Sequence, residues 1–186
     1  FAVFVHKPTR RVEAKLMKNK SELAEKAKQC IEFCEKQGSV TIVEFASDME
    51  KIYTVKNLMK YVDDNGILHN PSTPCRQQQN GISERIIQTL LRKMRAMLKQ
   101  SGLSKHFWCF AIECAAHLTN LTYCRETKKI PELDFFKKDV YNIDNLVAFG
   151  CIGVAHIDED RRPNKHTLDR AEYVRMLGYD RRDGTY

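Results

Sequence analysis

The sequence predicts an α/β domain, a mixed sheet covered by helices with a small β-rich extension at its C-terminal end. Three observations carry this. Apolar residues alternate with period two in some stretches and recur every three to four residues in others, in the order strand, strand, helix, strand, helix, strand, helix, helix. At 186 residues and 42% apolar composition, the chain can bury one core with an appendage. After Pro131 the texture shifts to short apolar runs broken by glycine and charge, which divides the chain into 1–130 and 131–186.

The apolar run 1–5 and the alternating 11–17 predict two strands, a hairpin through Lys7-Pro8-Thr9-Arg10. Val12, Ala14 and Leu16 fall on one side; Arg11, Glu13 and Lys15 fall on the other, with Glu13 expected to face solvent. Ser21 is expected to cap a helix whose Leu23, Ala27, Ile31 and Cys34 share a face and which ends near Gly38. The β-formers of 40–45 predict an interior strand that delivers Asp48 just past its end. Thr54 caps the next helix, with Val55, Leu58, Met59 and Val62 inward, and Asp63-Asp64-Asn65-Gly66 stops it. Residues 67–69 read as a short strand, and the polar 77–81 as a loop. The longest helix runs from Ser83 to Ser101-Gly102 with Ile86, Leu90, Met94, Met97 and Leu98 along one side. Ser104 caps another, packing Phe107, Ala111, Cys114, Leu118 and Leu121 inward. In the extension, 132–138 predicts a short helix, 146–157 a strand region, 158–164 a charged turn and 173–179 a last apolar stretch.

Bulk properties narrow the function classes. No run of about 18 apolar residues exists, so no membrane-spanning helix is expected. The first residue is Phe1, directly in a strand-like run, so the chain reads as a piece of a longer protein. The net charge of +7 suits a polyanion as ligand and equally an ordinary basic surface. Seven cysteines without Cys-x-x-Cys pairs, several beside apolar neighbours on helices, fit a reducing compartment, nuclear or cytoplasmic. His69, His106, His117, His156 and His166 show no metal-ligand spacing.

Asp48 and Glu84 are separated by 35 residues, the Asp-to-Glu interval of retroviral-type integrases. Gln78-Gln79-Asn80-Gly81 with Glu84-Arg85 resembles, more narrowly, the integrase core of copia-type LTR retrotransposons. Lys20-Ser21-Glu22, Ser47-Asp48, Asn65-Gly66-Ile67, Phe107-Trp108, Phe149-Gly150-Cys151, Leu168-Asp169 and Leu177-Gly178-Tyr179 resemble further family motifs in family order. The resemblance covers essentially the whole chain. It implies a ribonuclease-H-like core in which two Asp and one Glu hold two Mg²⁺ ions, about 3.5–4 Å apart, for phosphodiester transfer. It also implies a homodimer.

Counting back from Lys20-Ser21-Glu22, the resemblance puts the family's first Asp at the end of the first strand, where this sequence has His6. A bridging ligand for two Mg²⁺ ions must be an acid, so His6, Asp48 and Glu84 are expected to form a degenerate, inactive triad without a resident metal. The remaining chemistry is a residual divalent ion, Mn²⁺ or Zn²⁺, at Asp48 and Glu84 with His6. After Asp48 the family's glycines are replaced by Met49-Glu50-Lys51-Ile52, and after Arg85 polar family positions have become Ile86 and Ile87. Arg85, Gln88, Arg92, Arg95 and Lys99 nevertheless recur along one face, either a track for a phosphate backbone or a solvated helix face. Arg161, Arg162, Lys165, Arg181 and Arg182 form a second basic cluster. Three functions stay open: an inactive dimerising scaffold with an unidentified protein partner, a working copia-type integrase whose missing acid comes from elsewhere in a longer protein, and a nonspecific DNA or RNA binder.

Overall fold

The computed structural model describes residues 1–38, 40–48, 56–72, 77–137, 143–158 and 170–179. Strands β1 (Ala2–His6) and β2 (Arg11–Lys15) form the expected hairpin, paired antiparallel with Val5 opposite Val12. Helix α1 (Leu23–Gly38) follows. Ser21 does not cap it. A 3₁₀ turn (Lys20–Glu22) precedes the helix, and the Glu22 carboxylate accepts the Asn19 backbone N–H at 3.3 Å. Strand β3 (Glu44–Asp48), helix α2 (Lys56–Asp64) and strand β4 (Leu68–Ser72) make a parallel crossover unit, with Glu44 opposite Leu68. Gly66, at φ 65°, takes the left-handed conformation that ends α2. Thr54 and Val55 lie outside the described residues.

Helix α3 (Gln77–Ser101) is longer than its pattern predicts, because 77–81 continues the helix instead of forming a loop. Glutamine is a good helix former, and Gly81 meets nothing within 4 Å, so nothing opposes an early start. Ser104 caps a short 3₁₀ turn (Lys105–Phe107) by accepting the His106 N–H, and helix α4 (Trp108–Asn120) runs on from it. Helix α5 (Pro131–Phe136) and the antiparallel ribbon β5 (Ile152–His156) with β6 (Ala171–Arg175) complete the described elements. The charged turn at 159–164 falls outside them.

The architecture is α/β, and in place of one mixed sheet its strands are hydrogen-bonded in three pairs: β1 with β2, β3 with β4, β5 with β6. One side of the hairpin, Val12 and Ala14 with Val3 beside them, packs on Leu90 of α3 and on Ile112, Ala115 and Ala116 of α4. On the other side Phe4 joins α1, α2 and β3 through Ala27, Ile31, Leu58, Val62, Ile42 and Phe45. Helices thus cover both sides.

The arginine side of β2 was expected to be wet, and it is dry. Arg11 and Glu13 are each only 3% exposed. Arg11 reaches Glu13 at 2.6 Å and Glu132 of α5 at 2.8 Å, with its guanidinium about 5 Å from the ring centres of Phe33, Phe135 and Phe136. Alternation fixes the two sides of a strand; it does not fix what covers each. Here α5 lays Phe135 and a compensating carboxylate over the polar side.

The two outer edges of the hairpin differ. Asn120 accepts the Val12 N–H at 2.7 Å and donates to the Val12 carbonyl at 2.8 Å, so its amide closes the β2 edge as a neighbouring strand would. Val12 therefore turns its peptide groups away from β1, and its partner Val5, with Val3 two residues back, turns its own away from β2. In β3, Val43 accepts from Leu68, which leaves Glu44 and Ala46 directed away from β4. No hydrogen bond is described for these outward groups of Val3, Val5, Glu44 and Ala46.

The extension folds back on α3 and α4. Phe149 is buried with Ala111 and Cys114, and Leu177 and Tyr179 pack beside them. Gly150 has φ 77°, and a Cβ there would collide with the Ser101 side chain at the end of α3.

Candidate functional site

His6 ends β1 and packs within the hairpin. Its Nδ1 lies 2.8 Å from the Thr9 hydroxyl, and its ring meets Phe135 edge-on at 5.2 Å. Burial, and then the neighbouring Arg11 guanidinium, hold its pKa below the ordinary imidazole value. The Arg11 beside it is itself paired with Glu13 and Glu132.

Lys7, just past the end of β1, pairs with Glu44, the first residue of β3, at 3.6 Å. Asp48 ends β3, opposite Ser72. Glu84 is exposed in the second turn of α3 and has no described ion pair or hydrogen bond. No three of His, Cys, Asp and Glu converge to hold a metal among the described residues. An imidazole does not supply the bridging carboxylate of a two-Mg²⁺ centre, so His6 does not fit one.

The stripe expected on the long helix is present. Arg85, Gln88, Arg92, Arg95 and Lys99 are all exposed on α3, on the side away from buried Leu90. Its first member is tied down: Arg85 Nε donates to the Gly81 carbonyl at 3.1 Å, and Nη1 is 3.7 Å from Glu126. The other Glu126 oxygen is 3.0 Å from Arg10 Nη2 in the hairpin turn. Neither Arg10 nor Glu126 is distinguishable in the sequence, because the three meet only when the segment after α4 returns past the hairpin. Of the second basic cluster, every member lies outside the described residues.

No protein-family model matches the chain. It is 28% identical over 163 residues, 87% of its length, to the retrovirus-related Pol polyprotein from transposon TNT 1-94 of Nicotiana tabacum. It is 33% identical over 93 residues, half its length, to the truncated transposon Ty1-A Gag-Pol polyprotein of Saccharomyces cerevisiae. The chain spans 12% and 8% of these relatives. Among solved structures, the catalytic core domain of BIV integrase superposes with a TM-score of 0.55 at 20% identity, over 73% of this chain and 84% of that one. A chain of the simian T-cell lymphotropic virus intasome, in complex with PP2A regulatory subunit B56 gamma, superposes at 0.59 and 15% identity, over 93% of this chain and 60% of that one.

Proposed function

Starting from a copia-type integrase core with a ribonuclease-H-like fold, we propose that these 186 residues bind nucleic acid and self-associate without performing strand transfer. The observation that carries this is the setting of His6. Its ring is engaged with Thr9 and Phe135, and an imidazole is not the carboxylate that could bridge two metal ions with Asp48 and Glu84. Two carboxylates do not make the bridged clamp that in-line phosphodiester transfer requires. Binding rests on the exposed α3 stripe. Self-association rests on the exposed Trp108 and Phe110 of α4, 40% and 44% accessible, beside the half-buried Phe107.

The test is a strand-transfer assay with labelled duplex ends in Mg²⁺ or Mn²⁺. No product is expected from the chain with either metal. Product formation that disappears in Glu84→Gln would refute the reading.

A further inference from the structure

The Glu126 carboxylate sits between two guanidinium groups from distant parts of the chain, Arg10 at 3.0 Å and Arg85 at 3.7 Å. Arg10 Nε and Nη1 are shielded and have no hydrogen-bond partner, so this guanidinium retains donors that one carboxylate oxygen does not satisfy. Arg10 itself has φ 64°, a left-handed turn residue whose place is set by the hairpin and not by its side chain's pairing. Arg125 and Lys128, both exposed, flank the carboxylate in sequence. Two guanidinium groups thus share one acid at the head of the α3 stripe.

The pairing is easily exchanged. Arg85 is 69% exposed and Glu126 50%, the regime in which an ion pair contributes little to stability. A phosphodiester offers the same negative charge with more acceptor oxygens, and guanidinium groups bind phosphate well. We propose that Arg10 and Arg85 form a phosphodiester subsite in which Glu126 is the resident counter-ion. The segment after α4 then gates the head of the stripe, and a nucleic-acid backbone enters by displacing Glu126. This rests on the nucleic-acid reading above and extends it to a site off the long helix.

The experiment measures fluorescence anisotropy of the 186-residue chain with a labelled random-sequence DNA duplex across a salt series. Glu126→Gln should tighten binding about fivefold at low salt, the size of an exposed ion pair released. Glu25→Gln, an exposed acid on α1, should change it by less than twofold. Arg10→Gln should weaken binding and lower the salt slope by about one. In the Arg10→Gln background, Glu126→Gln should lose most of its effect, because the coupling runs through the subsite. Equal gains from Glu126→Gln and Glu25→Gln, or undiminished gain without Arg10, would overturn the subsite while duplex binding sensitive to Arg92→Glu kept the stripe. Absence of binding by the unaltered chain at low salt would overturn the nucleic-acid reading itself, and the subsite with it.

Discussion

At Arg11, a guanidinium buried beside two carboxylates makes the cost of substitution asymmetric. Arg11→Met leaves Glu132 buried without its cation and Glu13 with Lys15 alone, and should cost about 3–5 kcal/mol in urea denaturation. Replacing all three together by Met, Leu and Leu should recover most of that loss, because no buried charge then remains. His6 gives a milder, pH-dependent effect. Its folded pKa is lowered, so below the ordinary value near 6.5 the unfolded chain binds more protons, and stability should fall as pH drops from 7 through 6. Denaturation midpoints at the two pH values, compared with His6→Gln, check this; the variant should show the smaller decline. At this scale the sequence was only partly legible. The identities of Asp48 and Glu84 and their spacing were visible, but the surroundings of His6 depend on Phe135, far along the chain, and no local pattern reports that.

Among the elements, α3 was the most legible, because a helix shows its two faces at fixed spacing: Ile86, Leu90, Met94 and Met97 inward, Arg92, Arg95 and Lys99 outward. Charge reversal at Arg92 and Arg95 should reduce duplex affinity by at least tenfold at low salt, measured by anisotropy, with little change in denaturation midpoint. Its start was misplaced because a polar 77–81 reads as a loop when exposed and as helix when the turn behind it is already formed. The clamp of Asn120 on Val12 was invisible, since 108 residues separate the partners. Asn120→Ala should cost about 2 kcal/mol in thermal or urea unfolding by leaving a strand N–H and carbonyl unpaired.

For the molecule as a whole, the order of elements was readable from periodicity, and the assembly of strands was not, because which strand lies beside which is set by long-range packing. The hairpin and the β3–β4 pair share a hydrophobic cluster through Phe4, Ile42 and Phe45, yet each keeps a row of outward peptide groups. Those groups should be distinguishable in solution. Hydrogen exchange resolved by residue should show the amides of Val3, Val5 and Ala46 exchanging much faster than that of Val12, which Asn120 holds.

The unequal edges of the hairpin also bear on how any oligomer of this chain is read. A row of unclaimed peptide groups is a template for another strand, so aggregates seeded through β1 and dimers formed through the aromatic residues of α4 would both raise the apparent mass. They part on one substitution. Val3→Pro removes an N–H that already points away from β2, so it should silence edge-to-edge growth in light scattering while leaving the hairpin ladder and a helix-mediated dimer in place.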